Sequence, residues 1–175
     1  MKFLKFLPFL LFLLILEVSG AESKIAVIDN SKIAEKSTAY ADASKALSDK
    51  MKSFEESAIQ AGKSFSKKAE DLESKKNVMS SKEYNRKRDE LTKEEEALQK
   101  KFYNQRVTLD KQFNNFNQVF EDNFKKIINK LAKEKGITII FNKALTLYSN
   151  DSIDITDDVI DILNKELKSI DIASK

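Results

Sequence analysis

The chain has 175 residues, of which 34% are charged, and its formal net charge is +3. This length predicts one domain, and the near balance of charges gives no reason to expect a nucleic-acid partner. Histidine and cysteine are both absent. Their absence excludes disulfides, thiol nucleophiles, histidine acid–base catalysis and the usual zinc, copper or haem ligands. We therefore expect a protein that is not an enzyme and that has no catalytic residues, no metal and no cofactor.

Residues 1–21 have the pattern of a secretory signal peptide. A start with two lysines is followed by the apolar run 6–16 and then by small residues up to Ala21. A membrane anchor is the alternative, but it needs about 20 apolar residues, and Glu17 ends the run well short of that. We expect cleavage after Ala21 and export of the mature chain.

Residues 39–135 predict a long antiparallel helical hairpin, which we call the arm. The segment has no proline and one glycine, Gly62. Its apolar residues recur every 3, 4 or 7 positions, as in helices packed along a seam. Gly62 is either a tolerated cost of about 1 kcal/mol against alanine or a point of flexibility. The stripe consists of Leu47, Met51, Phe54, Ala58, Ala61, Phe65, Ala69, Leu72, Leu91, Leu98, Phe102, Leu109, Phe113, Phe116, Phe120, Phe124, Ile127 and Leu131.

The ends of the two arm helices carry clear signals. We expect the first helix over 39–76 and the return helix over 81–135, with the arm tip between them. Ser80 and Glu83 fit a capping box at the start of the return helix, and Gly136 fits a left-handed residue at its end. Because the apolar stripe is thin far from the base and rich in phenylalanine near it, the tip should be mobile.

Residues 22–38 and 136–175 predict a small β-rich base, so the fold class is α+β and mainly helical. Residues 24–29 read as a strand buried on both faces, followed by a short helix through Lys36. After Gly136, the runs 137–141 and 144–148 suggest two strands joined by a tight turn at Asn142-Lys143. Thr156 is expected to cap a final helix.

The predicted base is near the lower limit for a self-sufficient core, and its strands would have unpaired apolar edges. Association of two or three copies would cover those edges. The apolar residues of this oligomerisation body are Ile25, Val27, Ile137, Ile139, Phe141, Leu145 and Leu147.

The charges are distributed unevenly between arm and base. Residues 63–106 carry 13 basic and 9 acidic residues, whereas residues 150–175 carry 3 basic and 7 acidic ones. Basic arms attract an acidic partner or a membrane surface; the alternative is a solvated face with many i,i+4 ion pairs. The acidic residues between 151 and 161 lack the central glycine and closing glutamate of an EF-hand, so we expect no metal there.

The order of these elements resembles the Skp/OmpH family of periplasmic chaperones. The resemblance rests on residues 24–29, on 136–141 with 146–148, and on 154–159 at the start of the last helix. It implies a homotrimer in the periplasm with a β-rich body and helical arms. The arms would surround a cavity that holds unfolded outer-membrane proteins without ATP.

If the protein is such a chaperone, we expect basic residues of the arm to attract clients and partly exposed phenylalanine and methionine side chains to contact them. Two alternatives remain open at this point: a structural coiled-coil protein of the envelope, and a membrane-surface binder without client holding. No phosphate-binding loop is present in the sequence. The predicted client-binding residues are Lys67, Lys68, Lys75, Met79, Arg86, Lys87 and Arg88.

Overall fold

The computed structural model describes residues 23–173, so the predicted signal peptide lies outside the described residues. Among residues 23–173, no helix combines the length and the apolar character that crossing a bilayer requires. Two short 3-10 turns, Lys143–Leu145 and Asp151–Ile153, follow the second strand. The strands and helices are β1 (Ile25–Ile28), α1 (Asn30–Lys36), α2 (Thr38–Ser74), α3 (Ser81–Lys135), β2 (Ile139–Asn142) and α4 (Thr156–Glu166).

Helices α2 and α3 form the predicted arm. They contain 37 and 55 residues, which correspond to about 56 Å and about 82 Å of helix. The stripe side chains of α2 are buried or half-buried along its length, and Phe54 meets Phe102 across the seam with ring centroids 5.9 Å apart. The seam prediction is therefore confirmed for α2. Phe113 of α3 departs from it, because 54% of this residue is exposed.

Both predicted ends of α3 are confirmed. Ser80 is the N-cap, and its hydroxyl accepts a hydrogen bond of 3.3 Å from the backbone N–H of Glu83. Gly136 has φ of 65°, in the left-handed region, and the N–H of Ile137 donates to the carbonyl of Ala132 at 2.8 Å. A glycine adopts this conformation without steric cost, so the helix ends at Gly136.

The base is built around two short parallel strands. β1 pairs with β2 in the register Ile25↔Ile139 and Val27↔Phe141. On the other side of β1, the N–H of Ile155 donates to the carbonyl of Val27 at 3.0 Å. β1 is therefore covered on both edges, whereas in the described part of the chain no strand pairs with the outer edge of β2.

One hydrophobic core joins the base to the root of the arm. Val159 and Leu163 of α4 are fully buried, and Ile33 of α1 is 1% exposed. Ile127 and Phe116 of α3 belong to the same cluster. Because α3 is longer than α2, its last turns pass beyond the start of α2 and pack inside the base. The same helix thus belongs to both the arm and the base.

The predicted β-hairpin after Gly136 is wrong. Only residues 139–142 form a strand, and it pairs with β1 rather than with a neighbouring segment. The side chain of Asn142 accepts a hydrogen bond from the N–H of Ala144 at 3.1 Å, which starts a 3-10 turn. A two-residue hairpin turn of type I′ requires positive φ, and no residue other than glycine has positive φ in the described chain. The segment 146–150 therefore leaves the sheet.

The predicted capping role of Thr156 is also wrong. α4 begins at Thr156 itself, and its N-cap residue, Ile155, makes no side-chain capping bond. Asp154 accepts a hydrogen bond from the N–H of Thr156 at 2.9 Å. The Thr156 hydroxyl instead accepts one from the N–H of Asp29 at 2.9 Å. Thr156 thus joins the start of α4 to the end of β1, and Asp157 occupies the first turn of the helix as predicted.

Candidate functional site

The arm tip is closed by a small polar cluster that the sequence did not reveal. The Tyr84 hydroxyl donates to the Glu73 carboxylate at 2.7 Å, and Lys76 pairs with the same carboxylate at 3.0 Å. The hydrogen bond from Tyr84 lowers the pKa of Glu73, and the same bond raises the pKa of Tyr84. Glu73 lies in α2, Tyr84 lies in α3 and Lys76 lies in the turn between them, so the cluster depends on the conformation of that turn, which the sequence pattern does not give.

Four of the seven predicted client-binding residues lie together at the tip. Lys68, Lys75, Met79 and Lys87 line a shallow cleft of about 310 Å³ that is floored by Leu72 and Leu91 and edged by acidic residues. The cleft therefore combines an apolar floor with a rim of both charge signs. Lys67, Arg86 and Arg88 are exposed but do not line this cleft.

Most of the predicted tip cations are paired with carboxylates of the same arm. Lys68 bonds to Glu94 across the seam at 2.6 Å. Along α3, the side chains of Arg86, Lys87 and Arg88 pair with Glu90, Glu83 and Asp89. Such exposed pairs contribute little to stability, typically about 0–1 kcal/mol each. In each pair the positive charge is largely cancelled by the nearby carboxylate. The pairing therefore weakens the prediction that the basic residues of the arm attract acidic partners.

The seam opens on both sides of Leu109, about halfway along the arm. On one side, Phe54 and Leu109 border a cleft of about 540 Å³ with serine, asparagine and threonine side chains around it. On the other side, Met51, Leu109 and Phe113 border a cleft of about 390 Å³. We call these the mid-arm clefts. Together they expose apolar surface to solvent in the middle of the arm.

Sequence reasoning assigned these apolar residues to the seam and therefore missed the clefts. The sequence does hold a signal for them. Serines flank the α2 stripe on both sides at this level, with Ser44 and Ser48 bordering one cleft and Ser53 and Ser57 bordering the other. A small side chain beside the stripe leaves space where a larger one would close the groove between the helices.

A second exposed apolar surface lies on the base and is formed by the sheet and the segment after it. Ile25, Ile139 and Phe141 are 42%, 44% and 46% exposed, although they belong to the two paired strands. Beyond the sheet, Leu145, Leu147 and Tyr148 are at least 83% exposed. We call these six residues the base patch. Exposed apolar groups collected at one place are characteristic of an interaction surface.

Five of the seven residues predicted for the oligomerisation body belong to this patch. Val27 does not, because it is 2% exposed, covered between its strand neighbours Phe141 and Asp154. Ile137 is half-buried against the core cluster. The structure thus separates residues that fill the base from residues that the base leaves uncovered.

A polar network fixes the segment that carries the base patch. Lys143 pairs with Asp154 at 2.6 Å, and Asp154 also accepts hydrogen bonds from Thr156. Burial raises the pKa of the Asp154 carboxyl, but the hydrogen bonds lower it by more than burial raises it. The pKa therefore lies at about 2. In return, the hydrogen bond to Asp154 raises the pKa of Lys143. Within residues 23–173, no acidic cluster is arranged to hold a metal ion.

These features define a class of protein in which a long helical hairpin extends from a small α+β base, and the base carries an exposed apolar surface. Residues 24–163 match the family model described as outer membrane protein (OmpH-like). Because this match covers most of the chain, the chain belongs to the OmpH-like outer membrane protein family. The family resemblance inferred from the sequence is thereby confirmed.

A solved structure has the same fold. It is a crystal structure from Caulobacter crescentus CB15, provisionally described as an outer membrane chaperone (OmpH-like). The two structures superpose with a TM-score of 0.73 over 87% of this chain and 90% of that one, at 12% sequence identity. The predicted fold class is confirmed by this similarity. A comparison of the sequence with curated proteins gives no significant match.

Proposed function

We propose that this protein is an ATP-independent holdase of the periplasm that keeps unfolded outer-membrane proteins soluble. Membership of the OmpH-like family supports a chaperone role, and the fold is that of a structure described as an OmpH-like outer membrane chaperone. In this proposal the protein is not an enzyme and uses no cofactor. It acts by offering surfaces on which an unfolded chain is held and from which it leaves.

The observation that carries the proposal is the pair of mid-arm clefts. They place apolar side chains, among them Phe113 with 54% of its surface exposed, beside polar serine and amide groups. An unfolded chain offers both apolar side chains and unpaired backbone groups, so such a lining suits it. Shallow, open sites give many weak contacts instead of one strong contact. Release then needs no energy input.

We further propose that three copies assemble through the base patch. Leu147 is fully exposed, and the outer edge of β2 has no strand beside it among the described residues. An uncovered strand edge next to exposed leucine and phenylalanine side chains is a surface that monomers normally cover. Assembly through the base would place three arms around one cavity.

The holding activity is tested with an unfolded outer-membrane β-barrel protein diluted from urea with and without the purified mature chain. We expect light scattering from aggregates to fall when the chain is present, with no effect of added ATP. Phe113→Ala should weaken this protection, whereas Asn114→Ala, at an exposed neighbouring position of α3, should leave it unchanged. Unchanged aggregation at one assembly per client would refute the holdase proposal.

The assembly is tested separately by light scattering and sedimentation of the chain without client. We expect a mass three times that of the monomer. Leu147→Asp should convert it to monomer, because the charge would lie inside the interface. Val78→Asp is a matched control, since Val78 is 84% exposed at the arm tip. A monomeric wild-type chain at micromolar concentration would rule out the trimer.

Contact with a membrane surface is the second candidate for the arm. Lys67 and Lys75 support it, because neither forms an ion pair within residues 23–173. Co-sedimentation of the client-free chain with anionic vesicles, lost in 0.5 M salt, would favour it. No co-sedimentation at low salt would exclude membrane contact by the arm and would favour the mid-arm clefts as its binding surface.

A further inference from the structure

We propose that Met51 is a site of reversible oxidation in the arm, that Arg106 holds the oxygen of its sulfoxide, and that this oxidation weakens the hold of the chain on its clients. The last part rests on the proposed holdase function, whereas the first two parts do not. Three observations carry the proposal: a half-buried sulfur at the wall of an open cleft, a guanidinium directed at that sulfur, and a carboxylate that fixes the guanidinium.

Methionine carries all the sulfur of this chain. The sequence contains three methionines and no cysteine, and Met1 belongs to the predicted signal peptide. The other two, Met51 and Met79, are both half-buried, so burial alone does not set them apart. Among residues 23–173, the sulfur of Met51 accepts a hydrogen bond from Arg106, whereas no such bond reaches the sulfur of Met79. Because thiols are absent, these two thioethers are the sulfur groups on which an oxidant acts.

The side chain of Met51 is accessible to a small oxidant. It borders the mid-arm cleft of about 390 Å³ together with Leu47, Leu109 and Phe113. A peroxide is far smaller than this space and can approach the sulfur from the open side. In its reduced form the thioether is a soft apolar group that adds to the apolar wall of the cleft.

The guanidinium of Arg106 is placed to bind the oxidised form of Met51. Its Nη1 donates to Met51 Sδ at 3.8 Å, across the seam between α3 and α2. Its Nε donates to the Asp110 carboxylate at 3.1 Å, which fixes the orientation of the planar group. A sulfur–oxygen bond followed by a charge-assisted hydrogen bond of about 2.8 Å spans the gap between Sδ and Nη1 with a bend at the oxygen. Since a thioether is only a weak acceptor, the sulfoxide suits this donor better.

The oxidation is a two-electron oxygen transfer from a peroxide. A lone pair of Met51 Sδ attacks one oxygen of hydrogen peroxide, and the oxygen–oxygen bond breaks. The proton of the transferred hydroxyl passes to the leaving hydroxide, so the products are the sulfoxide and water. Two thiols of a separate reductant reverse the step and give the thioether, a disulfide and water. The chain has no cysteine to supply these thiols, so a dithiol protein must restore it.

Oxidation changes the wall of the cleft from apolar to polar. The sulfoxide places a polar, chiral group beside Leu109 and Phe113, which line the same cleft. Apolar side chains of an unfolded client then lose part of the surface that they would bury. The mid-arm cleft would therefore hold clients less well under oxidising conditions.

The stereochemistry of the sulfoxide tests the site without any client. The purified mature chain is treated with hydrogen peroxide, and each methionine is followed by mass spectrometry. Because Arg106 lies on one side of the sulfur, one epimer at Met51 should exceed the other about tenfold, the factor that corresponds to one hydrogen bond to a charged group. Met79 should give nearly equal epimers. Two classes of reductase, each specific for one epimer, measure the ratio.

Two arginine variants show whether the guanidinium is responsible. Arg106→Leu should make the epimers of Met51 nearly equal. Arg86→Leu is the matched control, because Arg86 is similarly exposed and is likewise paired with a carboxylate four residues further along α3; it should keep the excess at Met51. Equal epimers at Met51 in the wild type, or an unchanged excess in Arg106→Leu, would overturn the site.

The effect on holding is measured with the same unfolded β-barrel protein after the peroxide has been removed with catalase. Oxidised wild type should need several-fold more chain than untreated wild type to suppress aggregation. Treatment should not change the protection by Met51→Leu, whereas Met79→Leu should lose as much as the wild type. Equal protection by treated and untreated wild type, with Met51 fully oxidised, would overturn the regulation. Aggregation with the untreated chain would instead refute the holdase proposal and with it the regulation, while the epimer ratio still decides the site.

Discussion

The ion pair between Lys143 and Asp154 should make the base sensitive to acid. It joins the 3-10 turn after β2 to the residues that precede α4, at a distance of 2.6 Å. The Asp154 side chain is 18% exposed, so solvent screens it only partly. Either low pH or the variant Asp154→Asn neutralises this carboxylate.

The magnitude follows from the pKa. The pKa of Asp154 lies at about 2 instead of the ordinary 3.8, and each unit of pKa shift corresponds to about 1.4 kcal/mol. The ionised carboxylate therefore contributes roughly 2 kcal/mol to the free energy of unfolding. Because the folded pKa is the lower one, this contribution is complete above about pH 4. It is lost as the pH falls through about 2.

The assay is the free energy of unfolding in urea between pH 2 and pH 6, at fixed chain concentration because association also contributes. Wild type should lose stability as the pH falls below 4. Asp154→Asn should be less stable above pH 4 and should approach wild type near pH 2. The control Asp161→Asn, at an exposed position of α4, should follow wild type. A carbon-13 titration that gives the Asp154 carboxyl a pKa near 4 would show that its ionised form does not stabilise the base.

Three further predictions concern single residues of α2, of α3 and of the C-cap of α3. Gly62→Ala should raise the free energy of unfolding by up to about 1 kcal/mol, because an added Cβ meets no atom within 4 Å; a loss of stability in urea would contradict this. Gly136→Ala should lower it by about 1–2 kcal/mol, because φ is 65° there; a neutral result would exclude strain at that turn. Phe116→Ala should cost about 3–5 kcal/mol, since Phe116 is 2% exposed. Phe113→Ala should cost far less, since over half of Phe113 is exposed; equal losses would contradict the described seam.

The helices of the arm were predictable because their signals are local. A cap at Ser80, a glycine at 136 and a stripe of period 3.5 each depend on residues within a few positions of one another. These signals predicted both ends of α3 and gave the first helix to within two residues. Neighbouring residues are sufficient to predict a helix, because a helix forms its backbone hydrogen bonds within its own segment.

The base was less predictable because its contacts are distant in sequence. β2 pairs with β1, more than 100 residues earlier in the chain, and nothing in 137–148 distinguishes that partner from a neighbouring strand. The hydrogen bond that the N–H of Asp29 donates to the Thr156 hydroxyl likewise joins residues more than 100 positions apart. The mid-arm clefts depend on the distance between α2 and α3, which is set by the side-chain volumes on both helices. Sequence periodicity assigns the stripe but not the gap beside it.

The parallel pairing of β1 with β2 has a consequence for the order of folding. The two strands flank the whole arm, so as a random coil the chain would have to close a very long loop before they met, at a considerable entropic cost. An antiparallel hairpin that zips from its tip brings its two ends together step by step through contacts between adjacent turns. Formation of the arm therefore brings β1 and β2 together, and the sheet forms last. Slow or faulty zipping of the arm would delay the base even when every residue of the base is intact.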